Sequence, residues 1–276
     1  MDKPVSSELY SRRYFEEECG GAEFFKLYGP EVLKPTHAYS LSRAALAPGM
    51  RVLDIGCGRG EILFHARKAG AWGTGTDFAP AALGLAREVS GSPVVLCDAK
   101  ALPFAAASFD RVFFLGVMDH LHDWELERCF SELARVLKPE GLVLVHTCVN
   151  RQYYKAWTYG VRRALARLLS LREPARPRSD DDVALHVNEH TLGELRRFFR
   201  RIGWEAEVSA MPNYKLLVDE LYGPERPADF PMKAAVPWKS RLYRTFLFRW
   251  PLSLLLAREF FAWAKPKRLQ CRSSLY

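Results

Sequence analysis

Three carboxylates and a glycine-rich turn carry the clearest chemical signal in this chain. Asp54 ends the apolar run Val52-Leu53-Asp54-Ile55, and the chain then turns through Gly56, Gly58 and Gly60 into a helical pattern of Ile62, Leu63, Phe64 and Ala66. Glycine suits such a turn because the backbone must bend tightly and lie against a ligand where a Cβ would clash. The helix that follows presents unpaired N–H groups and a partial positive charge, a good seat for a carboxylate. The spacing D-x-G-x-G-x-G differs from the dinucleotide fingerprint G-x-G-x-x-G, because the third glycine is Gly60 and position 61 is Glu61. Asp77 and Asp98 end the next two expected strands. A carboxylate so placed accepts hydroxyl or amino hydrogen bonds. Any one of them reads equally as a cap or turn residue, but three in register on successive strands point to one crevice.

Histidine is the usual group that takes a proton near neutral pH, with an ordinary pKa of about 6.5. His120 and His122 lie in the segment Gly116–Asp123 after the fourth apolar run, and His146 lies near the end of the fifth. Each can instead serve a cap or a core hydrogen bond; His120 is the first choice for chemistry. His186-Val187-Asn188-Glu189-His190 gathers polar groups ahead of a helix, yet no partner cluster stands beside it in the sequence. It reads as a capping loop or part of a pocket wall, and no metal is assigned.

Elements that position these residues follow from hydrophobic period and breakers. Strands are expected at 51–55, 72–76, 94–97, 110–115 and 141–148, with helices to Ala69, over Ala81–Val89 after Pro80, and from an Asp123 N-cap to Lys138. Helices over 7–19 and from a Thr36 N-cap to Leu46 precede them, and a helical stretch 151–172 and a Pro/Arg/Asp loop 173–182 follow. A helix Thr191–Ile202, a strand Glu205–Ala210 and a last strand around Tyr214–Val218 complete the pattern. Alternating strands and helices with short links make an α/β, doubly wound, mostly parallel seven-stranded sheet, with N-terminal helices and a C-terminal helical extension.

The net charge of +8 is uneven: residues 233–276 hold 10 basic residues and one acidic, while residues 1–232 hold 30 and 31. Basic pI therefore describes the tail, and nucleic-acid binding by the core is not expected. The six cysteines are scattered, with no C-x-x-C pair, which fits a reducing cytosol without disulfides or zinc. Met1–Val5 lacks the build of a signal peptide, so a cytoplasmic location is expected. In the tail, Thr245–Ala264 has the length of a span but contains Arg249, Pro251, Arg258 and Glu259. Its aromatic and basic mixture fits either a helix lying on an anionic membrane, at the inner face, or a helical hairpin packed on the domain or a dimer surface.

At the glycine turn and its following carboxylates the chain resembles the class I S-adenosylmethionine (SAM)-dependent methyltransferases, in the type 11, quinone-biosynthesis-like branch. The resemblance covers about residues 45–150 and extends loosely to about 210. It implies SAM as cofactor, with Asp77 on the ribose hydroxyls, and Asp98 and the Ala99 backbone on the adenine. Phe78 and Leu102 would cover the adenine faces, and Gly56 and Gly58 would meet the methionine part. Asp54 would fix the loop and the ligand's amino group, while Gly60, Leu115 and Gly116 complete the cofactor set. The layout implied is N-terminal lid helices (1–46), a SAM-binding core (47–150), an acceptor-pocket insertion (151–190), completion of the sheet (191–220) and a basic aromatic tail (221–276). The expected activity is methyl transfer to a small or lipid-linked acceptor, at oxygen, by direct displacement, with oligomeric state open. A non-catalytic membrane-associated adaptor and a nicotinamide-dependent oxidoreductase are the rivals.

Overall fold

The computed structural model describes residues 3–148, 150–174, 185–211, 217–223, 230, 232, 237–242, 245–246 and 252–267. Two helices, α1 (Ala22–Tyr28) and α2 (Pro35–Ala44), precede β1 (Arg51–Ile55). Then come α3 (Glu61–Lys68), β2 (Trp72–Asp77), α4 (Pro80–Ser90), β3 (Val94–Leu96), β4 (Phe109–Leu115), α5 (Asp123–Val136) and β5 (Leu137–Cys148). Helical stretches Tyr154–Trp157 and Tyr159–Leu168, a helix Leu192–Arg201, β6 (Trp204–Ala210), a short helix Val218–Tyr222 and β7 (Glu259–Pro266) complete the fold.

The seven strands form one sheet in the order β3-β2-β1-β4-β5-β7-β6. β1 to β5 are mutually parallel, and β7 runs antiparallel to both β5 and β6. Strand order reverses at β1 and β4, so a crevice opens at their carboxyl ends. β4 is buried through Val112–Leu115, as its dense apolar run requires of a strand covered on both faces. On one face Leu126, Phe130 and Leu133 of α5 pack with Leu195, Phe198 and Phe199 of the 192–201 helix; on the other, Ile62 and Ala66 of α3 pack with Phe113 and Leu144.

Several boundaries differ from expectation, each for a local reason. α5 is capped by His122, not Asp123, in a capping box with Glu125, and it ends at Val136 as β5 takes over from Leu137. α2 starts at Pro35, whose fixed φ suits a first helical position, so Lys34 and not Thr36 is the N-cap. The helix expected over 7–19 resolves into a 3-10 turn Ser7–Leu9 and a π turn Tyr14–Glu18, and the carbonyl oxygens of Phe15 and Gly20 accept from Arg59. The expected 173–182 loop lies, from 175 on, outside the described residues.

The larger correction is the last strand. Residues 212–216 lie outside the described residues, and Val218 opens a helix. The seventh strand is supplied instead by Glu259–Pro266, from within the stretch read as a membrane or surface helix. Phe260 and Phe261 are 1% and 2% exposed and pair across from Thr147 and His146 of β5. Among the described residues no helix is long and apolar enough to cross a membrane. Replacing Phe260 by Ala should therefore cost about 3–5 kcal/mol in urea unfolding. Phe246, 67% exposed, should cost no more than about 0.5 kcal/mol when changed to Ala. Equal, small effects would contradict the placement of β7.

Candidate active site

A cavity of about 720 Å³ opens at the carboxyl ends of the parallel strands, within the range that holds drug-sized ligands. Of the residues singled out from sequence, Gly56, Gly58, Asp77, Phe78, Asp98, Ala99, Leu115, Gly116, His120 and His146 line it. Asp54, Gly60, Leu102 and His122 are not in its wall.

Asp77 ends β2 and fixes the glycine turn. One carboxylate oxygen accepts from the Gly58 N–H at 3.1 Å and the other from the Ala79 N–H at 2.9 Å. These use two of about four lone-pair sites, leaving capacity for a ligand's hydroxyls. Burial pushes the Asp77 carboxyl up, against the pull of those backbone donors. Gly56 has φ +66°, and a Cβ there would lie 2.6 Å from the Val117 side chain. Gly60 serves a different purpose: with φ +83° it caps α3, and a Cβ would meet the Ala86 carbonyl of α4 at 2.8 Å. It is a helix-packing glycine. Leu102 is a core residue, 4% exposed, whose N–H donates to Glu132 at 2.7 Å.

Asp98 keeps its place at the strand end and forms an ion pair with Lys100 at 2.9 Å, which also reaches the fully buried Glu125 of α5 at 2.7 Å. Asp54 is buried behind the turn. Burial, then the Asp77 and Glu61 charges, hold its carboxyl well above the usual carboxylate range.

The three histidines separate. His120 faces the cavity, its Nδ1 sharing a 2.7 Å hydrogen bond with the Tyr10 hydroxyl. Burial, then the Asp119 charge, raise the Tyr10 pKa, so it stays a neutral phenol. His146 is buried, with Nε2 3.0 Å from Glu259 at the start of β7. His122 caps α5, and its Nε2 lies 3.0 Å from the Lys3 carbonyl oxygen. The ring sits at a helix end, outside the cavity wall.

The N-terminal segment forms much of the opposite wall. Arg59 and Glu61, each nearly inaccessible, pair at 3.0 Å, and the guanidinium donates to Phe15 O at 2.7 Å and Gly20 O at 3.1 Å. Tyr10 packs edge-on to Phe78 with ring centroids 5.1 Å apart. Tyr10, Arg59 and Asp119 escape the sequence reading as site residues, and His186 enters it only within a capping loop or pocket wall. The available signal is the charged pair Arg59/Glu61 on either side of the last glycine of the turn; the rest depend on contacts far apart in sequence.

Residues 53–145 match the family described as Methyltransferase domain. The ubiquinone/menaquinone biosynthesis C-methyltransferase UbiE of Bordetella avium is 30% identical over 174 residues, which are 58% of this chain and 67% of the relative. The ubiquinone biosynthesis O-methyltransferase of Aromatoleum aromaticum is 34% identical over 191 residues, 64% of this chain and 76% of that protein. The solved structure of a Haemonchus contortus phosphoethanolamine N-methyltransferase 2 with S-adenosyl-L-methionine has the same fold, with a TM-score of 0.56 at 22% identity, covering 93% of this chain and 60% of that one. The chain belongs to the class I SAM-dependent methyltransferases. S-adenosylmethionine is its cofactor, and the oxidoreductase reading of the glycine turn falls away.

The raised Asp54 carboxyl gives a pH signature in the ligand-free protein. A carboxyl whose folded pKa exceeds its unfolded value contributes stability that is full in acid and is lost as pH rises through the folded value. Asp54→Asn should therefore gain in melting temperature relative to the unaltered protein as pH rises from about 4 to 8. A difference that does not change with pH would contradict a buried, raised carboxyl.

Proposed function

We propose that this methyltransferase transfers the SAM methyl to an oxygen of a small or lipid-linked acceptor by in-line displacement, with His120 helping to remove the acceptor's proton. The observation that carries this reading is His120, held by Tyr10 in a cavity whose other wall is the glycine turn, Asp77 and Asp98. In such a reaction the protein chiefly positions the two reactants, and a hydroxyl acceptor adds a proton to be taken. The relatives' names divide between carbon and oxygen acceptors, and the histidine within the cavity favours oxygen here.

On this reading Asp77 holds the ribose, Asp98 and Ala99 the adenine edge, and Phe78 an adenine face. Gly56 and Gly58 meet the methionine end beside Leu115 and Gly116. Asp54 acts through the turn it underlies, not by contact. Residues 1–46 serve as a lid, and the 151–190 insertion supplies acceptor wall, supported by Leu185 and His186 in the lining. The same insertion favours a lipid-linked acceptor. Its helix Tyr159–Leu168 exposes Val161, Leu165 and Leu168, and Leu169 and Leu171 follow, also exposed, among Arg162, Arg163 and Arg167. Apolar side chains interleaved with arginines suit the surface of an anionic bilayer.

Asp77→Ala should weaken SAM binding about tenfold or more in calorimetry, since hydrogen bonds to a charged group contribute roughly 1.5–3 kcal/mol; unchanged affinity would remove Asp77 from the cofactor site. His120→Ala should slow labelled methyl transfer into a lipid extract by about 10²-fold or more with SAM affinity nearly unaltered. A full-rate variant would end its role in the chemistry. The protein should sediment with phosphatidylglycerol vesicles, and replacing Leu165 and Leu168 by Ser should abolish that. Equal sedimentation of the variant would contradict this docking face.

A further inference from the structure

We propose that Asp119, His120 and His186 form a binding site for one divalent transition-metal ion of the zinc or manganese class. The sequence offers the segment His186–His190 without a partner cluster; the fold brings it one. Asn188 locks the two segments together: its N–H donates to Asp119 O at 3.1 Å, and its side-chain amide donates to Leu121 O at 3.0 Å and Asp123 Oδ1 at 2.9 Å.

One ligand atom from each of the three residues lies within 4.8 Å of the others. His186 Nε2 is 3.3 Å and His120 Nε2 3.7 Å from Asp119 Oδ2. Donors about 2.0–2.1 Å from a tetrahedral ion stand about 3.3–3.4 Å apart, so small side-chain movements gather the set. A second observation points to a cation independently. Asp119 is 1% exposed, and among the described residues its Oδ1 has no hydrogen-bond partner. Among the described residues no lysine or arginine forms an ion pair with it; the two imidazoles and the Cys148 thiol, 3.6 Å from Oδ2, are its titratable neighbours. A buried carboxylate with an unmet oxygen is costly, and a metal ion between it and the two rings removes that cost.

The Tyr10 hydroxyl on His120 Nδ1 orients the ring with Nε2 toward Asp119, as partners behind metal-bound histidines do. Two imidazoles with one carboxylate favour first-row transition ions over magnesium or calcium, which prefer all-oxygen sets. Three protein ligands leave positions open toward the cavity. If the oxygen-acceptor reading holds, an ion here takes over the part given to His120 alone. The ring, bound at Nε2, no longer accepts a proton; an acceptor hydroxyl bound at an open position is acidified by the ion and gives its proton to solvent water, and the resulting oxygen anion takes the methyl.

The test is titration of the chelator-treated full chain with Co²⁺, read by visible absorption, and with Zn²⁺ by calorimetry. One ion per chain is expected, undisturbed by a large excess of Mg²⁺, with affinity falling at least about tenfold in Asp119→Asn and in His186→Ala. Circular dichroism monitors folding, and should Asp119→Asn not fold, His186→Ala decides. Absence of saturable binding, binding that His186→Ala leaves unchanged, or displacement by Mg²⁺ would overturn the proposal. SAM titration of the same samples keeps the two ideas apart: SAM binding without ion binding removes the ion site alone, and ion binding without SAM binding removes the cofactor cleft alone.

Discussion

A buried guanidinium joins the two walls of the cleft. Arg59 follows the second glycine of the turn, pairs with Glu61 at the start of α3, and spends its remaining donors on backbone carbonyls of the N-terminal segment. A buried ion pair adds little net stability by itself, because desolvation offsets attraction. Its consequence is geometric. With Phe15 and Gly20 tied to the turn, Tyr10 is delivered against Phe78 and onto His120, and the crevice of an open sheet gains a second wall.

The other constraint is the late strand. β7 comes from Glu259–Pro266 yet sits between β5 and β6, so β6 joins the sheet only through residues that follow it by about fifty positions. Its first residue, Glu259, meets His146 at the cavity wall, and Phe260 and Phe261 fill opposite faces of the sheet. The end of the chain that carries the charge excess thus contributes core as well as surface.

Local pattern explains what was legible beforehand. β1 and β2, the helix that begins beside Thr191, and the turn at Gly56–Gly60 are set by neighbours within a few residues, and each follows from sequence to within a residue or two. The carboxylates at strand ends followed from those strands. β7 was not legible because Glu259–Pro266 is a short aromatic run buried on both faces, which periodicity does not separate from a helix. Gly60 looked like its two companions until the approach of α4 distinguished it. Tyr10 on His120 spans 110 residues, and the meeting of Asp119 with His186 depends on the insertion folding back over the loop after β4. No spacing within the sequence announces either.

The central claim is that the cofactor lies between the glycine turn and the ends of β2 and β3, under the N-terminal segment. Crystallography of the full chain with S-adenosylhomocysteine tests it most directly. Density should show the ribose within hydrogen-bond distance of Asp77, the adenine beside Asp98, and the amino-acid end over Gly56–Gly58. A ligand bound elsewhere, or a cleft still filled by the protein's own side chains at saturating ligand, would contradict the account.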